Sequence, residues 1–193
     1  MPLRYRYLPL SGDLAAVEEI VRSTRRFTDD EVQVARELIA DALARGEGSG
    51  YCYVFACRCN EVLGFTCYGP IPGSHRRYEL YWIAVQADMQ GCGIGRSLLA
   101  QTERRIADRG GVRVYAETSS RADYDMTRAF YRSQGYREAA FLDGYYEDAD
   151  GLVVFMKRLV GPAPQVHDTT GELAATGPAG GLPGLRPPVS RAA

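Results

Sequence analysis

Three glycines in five residues, Gly91, Gly93 and Gly95, separate an apolar run ending Ile83-Ala84-Val85 from a helix-periodic run carrying Ile94, Leu98, Leu99, Thr102 and Ile106. A strand, a glycine turn and a helix in this order leave unpaired N–H groups at the helix start, where the missing side chains let a ligand approach. Such a turn is an anion site, most often for phosphate. Glycine spacing narrows the choice. There is no Gly-x4-Gly-Lys-Ser/Thr, which excludes a P-loop, and the third dinucleotide-fingerprint position is Arg96, so that motif fails too.

The flanking pattern predicts a mixed α/β sheet around this turn. Thr28-Asp29-Asp30-Glu31 has capping-box spacing and opens a helix with Val32, Ala35, Leu38, Ile39 and Ala42 on one face, stopped at Gly46. A shorter helix with Leu14, Val17, Ile20 and Val21 precedes it. Strands are expected at 51–59, 62–68 and 77–85, the first two joined by a tight turn at Asn60-Glu61. The helix after the glycine turn ends at Gly110-Gly111. A strand at 112–117, a helix at 124–134 with Met126 and Phe130 facing inward, a left-handed cap at Gly135 and strands at 136–142 and 152–159 complete the unit.

From Gly161 onward six Pro and six Gly, with no aromatic residue, predict a disordered tail, so the folded domain is expected at 1–160 and the tail at 161–193. With 23 basic and 24 acidic residues the chain lacks the basic excess of non-specific nucleic-acid binding. No apolar run approaches the roughly 18 to 20 residues of a bilayer span, and Arg4, Arg6 and Pro9 stand where a secretory core would be. Neither nucleic acid nor a membrane is expected as partner, and a cytoplasmic location is. Of the basic residues 22 are Arg, which points to a GC-rich bacterial source. Cys52, Cys57, Cys59 and Cys67 read as reduced thiols in strands, and the Cys and His spacings suggest no metal site.

Gln90-x-x-Gly93-x-Gly95 resembles the pyrophosphate loop of the GCN5-related N-acetyltransferase (GNAT) superfamily, and Ile83-Ala84-Val85 stands where that family's apolar strand enters the loop. Ala129-Phe130-Tyr131-x3-Gly135-Tyr136 resembles its second motif. The resemblance covers residues 3–159. It implies an α/β (α+β) GNAT fold: a mostly antiparallel sheet of six to seven strands, splayed between the fourth and fifth and flanked by about four helices. It also implies acetyl-CoA as the acyl-donor cosubstrate. The donor would lie along Ile83, Ala84 and Val85, with the N–H groups of Gly91, Cys92, Gly93, Ile94, Gly95 and Arg96 on the pyrophosphate and Gln90, Arg96 and Ser97 flanking it.

Acetyl transfer to an amine needs a neutral amine, stabilisation of the tetrahedral oxyanion and a proton for the departing thiolate. Glu79 stands where some family members carry a general base, among aromatic neighbours that raise a carboxylate's pKa; the alternative is a Glu paired with Arg76 or Arg77. Glu117, ending the next strand, is the reserve base. Tyr131 occupies the position of the family's tyrosine acid, against the alternative of a core aromatic like Phe130. The oxyanion donor is expected at a backbone N–H near Ile83 to Val85, where the family breaks its strand with a bulge. Cys92 lacks a histidine partner, so a covalent mechanism is not expected.

Arg25, Arg26 and Phe27 at the helix junction, Tyr81, and Tyr145 and Tyr146 in a loop at 143–148 are the expected acceptor-binding residues. The basic junction at Arg25 and Arg26 and the loop with Asp143, Glu147 and Asp148 carry opposite charge, which suits an acceptor bearing both carboxylate and amine, such as an amino acid or similar metabolite. A protein N-terminal or lysine acetyltransferase and a non-catalytic acyl-CoA sensor are the alternatives. The expected partners are the small-molecule amine and, at most, a second copy of the chain as a homodimer.

Overall fold

Hydrophobic alternation in the strands predicts two buried faces, and the computed structural model, which describes residues 2–159, has both. The tail expected at 161–193 lies outside the described residues. Seven strands, β1 (Arg4–Arg6), β2 (Cys52–Arg58), β3 (Glu61–Pro70), β4 (Arg77–Val85), β5 (Arg113–Ser119), β6 (Arg137–Glu147) and β7 (Asp150–Arg158), form one sheet ordered β1-β2-β3-β4-β5-β7-β6. Every pair is antiparallel except β4 with β5. That parallel pair is joined only over Arg77–Leu80 and Arg113–Ala116, although β4 runs on to Val85 and β5 to Ser119. The two strands therefore part after Leu80 and Ala116, as the family resemblance implies.

Four helices cover the sheet: α1 (Asp13–Ser23) and α2 (Asp29–Arg45) on one face, α3 (Ile94–Asp108) and α4 (Asp125–Ser133) on the other. Val17, Ile20, Val21 and Ile39 pack with Phe55, Phe65, Trp82 and Ala84, while Leu98, Leu99 and Ile106 pack with Val54, Leu63, Ile83 and Val85. From Trp82 to Val85 successive β4 residues thus serve opposite cores, as a strand's period of two requires. The capping box forms: Glu31 N–H donates to Thr28 Oγ1, and the Glu31 carboxylate accepts from Thr28 N–H at 2.8 Å. α2 stops at Gly46, whose φ is 55°.

Several expectations shift. β1, too short to show periodicity, pairs with β2 at the sheet edge. The β2–β3 turn sits one residue earlier, at Cys59 and Asn60, both left-handed, so Cys59 is an exposed turn residue rather than a strand thiol. β6 continues to Glu147, so Tyr145 and Tyr146 belong to a strand end and not to a loop. α4 is rotated from the expectation: Thr127, Arg128 and Tyr131 are its buried residues, Phe130 is half-buried against the core as expected, and Met126 is 75% exposed. No helix among the described residues is long and apolar enough to cross a membrane.

Candidate active site

Gly91 and Gly93 hold φ of 76° and 82°, and Gly93 caps α3 from the left-handed region. For an L-residue that conformation costs roughly 1–2 kcal/mol, so glycine is required for this shape. The first bond into the helix runs from Ser97 N–H to the Gly93 carbonyl at 3.1 Å. The N–H groups of residues 91–96 have no acceptor among the described residues. A run of donors at a 15-residue helix's positive end is an anion cradle. Gln90 Nε2 donates to the Val85 carbonyl at 3.2 Å and ties the loop back to β4. The Ile94 side chain is in the core, Ser97 is half-buried, and Cys92 and Arg96 are exposed.

Beside this cradle lies a hollow of about 320 Å³. Ile83 and Val85 line it from β4, Gly91, Gly93 and Gly95 from the loop, and Met126 and Phe130 from α4. Ala84 turns the other way, into the core under α1 and α2. Phe130 comes within 3.8 Å of where a Gly95 side chain would begin, so this wall closes directly on the helix start. A larger hollow of about 1010 Å³ lies between β1, the start of α1 and the β2–β3 turn, and contains none of the expected site residues. The smaller one is the hollow that adjoins the cradle, and it runs along the end of β4 at Ile83 and Val85.

The parallel register sets Glu79 beside Tyr115, and Glu117 stands two residues further along β5. Their neighbours Leu80 and Ala116 belong to the α3/α4 core, so both carboxylates occupy the opposite face, at the point where the strands part. Tyr81 shares that face, with its ring 5.7 Å from Tyr51. Burial first, and then the negative charge of Glu79, pushes its phenol well above the ordinary value.

A bulge accompanies the parting. Cys67 pairs with Trp82 while the next β3 residue, Tyr68, pairs with Leu80, which leaves Tyr81 as the extra residue of β4. From Trp82 to Val85 the register is regular, so the bulge precedes the segment where it was expected. The extra residue re-aims the neighbouring backbone groups.

Tyr131 lies in the core on the α3/α4 face, fully buried, with its ring 5.2 Å from Phe155 and 5.4 Å from Tyr136. Its hydroxyl has no hydrogen-bond partner among the described residues. An orphaned buried hydroxyl costs on the order of 1–3 kcal/mol, which makes it a candidate ligand contact. Burial alone pushes this phenol well above its ordinary value, so it keeps its proton.

The junction residues separate. Arg25, at φ 55°, lies on the outer surface with Glu18, Glu19 and Arg22. Arg26 lines the hollow and donates from Nη1 to the Asp123 carbonyl at 2.7 Å. Phe27 packs on Trp82 with ring centroids 4.9 Å apart. Tyr145 and Tyr146 meet edge to face at 5.0 Å. Sequence reasoning missed the α4 wall, Met126, Thr127 and Gln134, because apolar residues there were assigned to the core. No cluster of His, Cys, Asp or Glu that could hold a metal occurs among the described residues.

Comparison with known proteins agrees with this geometry. A family model for the acetyltransferase (GNAT) family matches residues 14–136. A crystal structure from Desulfovibrio desulfuricans, described as an acetyltransferase of that family, superposes with a TM-score of 0.81 at 36% identity, covering 82% of this chain and all of that one. The N-alpha-acetyltransferase RimI of Mycobacterium tuberculosis is 40% identical over 83 residues, which span 42% of this chain and about half, 48%, of RimI. An uncharacterized N-acetyltransferase of Methanocaldococcus jannaschii, MJ1530, is 28% identical over 150 residues, 77% of this chain and 87% of that protein. The chain belongs to the GNAT family of acetyltransferases.

Proposed function

We propose that this N-acetyltransferase takes acetyl-CoA as donor and moves the acetyl group directly to the N-terminal α-amine of a polypeptide, in a ternary complex. The observation that carries the reading is the pair Glu79 and Glu117 on one face of the sheet where β4 and β5 part, with the cradle and the hollow further along β4, on the α3/α4 face. A cationic amine is drawn to two carboxylates among tyrosines, and either carboxylate can take the proton that an ammonium must lose before it attacks. The amine nitrogen then bonds to the thioester carbon, and an N–H beside the Tyr81 bulge donates to the oxyanion. The nitrogen, cationic once it has attacked, loses its remaining extra proton to water, the oxyanion reforms the carbonyl as the carbon–sulfur bond breaks, and Tyr131 gives its proton to the departing thiolate from the other face and regains one from solvent. The N–H groups of residues 91–96 hold the pyrophosphate throughout, with Arg96 adding charge at the rim.

The amino-acid acceptor needs a cation beside the amine, which Arg25 and Arg26 were expected to supply. Arg25 sits with Glu18 and Glu19 on the outer surface, and Arg26 is engaged at the hollow. Glu79, Tyr81 and Glu117 share the face at the opening, with Arg77 and Arg113 paired two positions behind Glu79 along β4 and β5; this acidic and aromatic set suits an α-amine whose carboxyl is already in a peptide bond. The 40% identity to RimI, an N-alpha-acetyltransferase, supports the same choice. Polyamines and other small amines without a nearby carboxylate form the second reading, favoured by the same acidic lining.

Thiol release from acetyl-CoA, measured against pooled N-terminal peptides, amino acids, polyamines and aminoglycosides, tests this. Peptide pools that turn over while free amino acids do not, with the acetyl group found by mass spectrometry on the α-nitrogen, support the proposal. Turnover of free amino acids alone overturns the peptide assignment. Tight CoA binding with silence in every pool points to an acyl-CoA sensor.

A further inference from the structure

The segment between α1 and α2 is fastened to both walls of the hollow. Ser23 Oγ accepts the Ala87 N–H at 3.2 Å, on the chain that leads from β4 to the glycine loop. Arg26 Nη1 reaches the Asp123 carbonyl at 2.7 Å, in the turn that opens α4. Directly after the second anchor, Phe27 rests on Trp82. Residues 23–27 therefore cross the opening from the β4 side to the α4 side.

Arg25 takes φ 55°, and Thr24 Oγ1 accepts the Arg26 N–H at 3.4 Å. A non-glycine residue in the left-handed region turns the chain sharply, and here consecutive arginines leave on different sides: Arg25 to the outer surface, Arg26 to the hollow. A guanidinium carries five N–H donors in a planar fork. The Asp123 carbonyl takes one of them, and no carboxylate among the described residues pairs with Arg26. A half-buried arginine with spare donors, in a hollow also lined by Ile83 and Phe130, is placed to meet an acceptor oxygen on a ligand.

We propose that Arg26 is a donor-binding residue supplied by the acceptor-side helices: its spare N–H groups bind an amide carbonyl on the pantetheine arm of acyl-CoA. The inference rests on the acetyl-CoA reading above. It deepens that reading by assigning to the donor a residue expected to serve the acceptor. The phosphates already have their own donors in the N–H groups of residues 91–96. The arm between phosphate and thioester offers uncharged amide oxygens, to which a guanidinium donates as it does to Asp123.

Trp82 is the chain's single tryptophan and touches Phe27, so its emission reports this segment. The experiment titrates CoA and acetyl-pantetheine, which lacks the nucleotide, into the full-length wild type, Arg26→Met and Arg26→Lys, following Trp82 emission and heat, with a thermal melt for folding. Arg26→Met is expected to weaken CoA about tenfold, the loss of one charge-assisted hydrogen bond, and to weaken acetyl-pantetheine by the same factor. Arg26→Lys recovers part of the loss, and acceptor KM at saturating donor stays within twofold. Should Arg26→Met melt early, Arg26→Lys and the wild type alone decide, since lysine cannot reproduce the fork and must still bind more weakly. Equal CoA binding by folded wild type and variants overturns this inference alone. A deficit with CoA that vanishes with acetyl-pantetheine assigns Arg26 to phosphate and overturns the carbonyl assignment. A wild type that binds no CoA overturns both this inference and the reading beneath it.

Discussion

Glu79 and Tyr131 lie on opposite sides of the sheet: Glu79 points away from the α3/α4 core to which its neighbour Leu80 belongs, whereas Tyr131 is buried inside that core against Phe155 and Tyr136. The reaction proposed above needs a thioester between them, with the carboxylate acting from the α1/α2 side and the phenol from the α3/α4 side. Tyr131→Phe is expected to lower kcat by about 10² to 10⁴, the range of a lost general acid, with CoA affinity within twofold of the parent. A variant that keeps full turnover would reduce Tyr131 to a core aromatic.

Glu79→Gln and Glu117→Gln separate the two candidate bases. The residue that takes the ammonium proton loses about 10² or more in kcat/KM at neutral pH, with the deficit shrinking as pH rises and the amine deprotonates unaided. The other is expected to affect mainly acceptor KM. Identical pH-independent losses in both variants would remove the base assignment.

Burial pushes the Tyr131 phenol above its ordinary value, so its proton-bearing form persists to higher pH than in a free tyrosine. A raised pKa moves the loss of the acid upward. Wild-type kcat/KM is expected to climb with pH and show no alkaline fall below about pH 10, the reference phenol value. A fall centred near pH 8 that disappears in Tyr131→Phe would contradict the buried acid.

Gly93 and Gly111 predict opposite phenotypes. A Cβ on Gly93 meets nothing within 4 Å, but its φ of 82° strains any L-residue, so Gly93→Ala reshapes the cradle. Weaker CoA binding, several-fold, with a small drop in Tm is the expected outcome. A Cβ on Gly111 would lie 2.3 Å from Ile106 Cγ2 and 2.8 Å from the Tyr78 ring. Gly111→Ala should cost about 1–3 kcal/mol in urea unfolding and leave CoA affinity unchanged in the folded fraction.

Cys92 is exposed in the loop between two left-handed glycines, so a thiol reagent should label it readily. Saturating CoA is expected to slow that labelling at least fivefold, read by mass spectrometry of the Cys92 peptide, while Cys92→Ser keeps activity. An unchanged labelling rate would place the ligand elsewhere.

Where sequence and structure agree, one local pattern carried the information. Thr28 and Glu31 specify their own hydrogen bonds, Gly46 ends α2, and the glycine loop starts α3 at Ile94. Where they differ, a partner distant in sequence decided. Met126 and Phe130 are the apolar side of α4, and apolar sides normally face the core; here they line the hollow, while Thr127 and Tyr131 are buried. A helix that walls a ligand site keeps apolar groups for the ligand, and a single periodicity cannot tell that partner from a core.

By itself the sequence determined the strand, glycine turn and helix from Trp82 to Leu99, because glycine at 91 and 93 permits the left-handed turn from which the helix starts. Tertiary structure alone decided which face of α4 is buried, that Tyr81 is the bulged residue, that Arg25 and Arg26 part company, and that Glu79 and Glu117 share a face. Each of these depends on the register between strands and on contacts such as Arg26 with Asp123, 97 residues apart, and no local propensity encodes a distance of that kind.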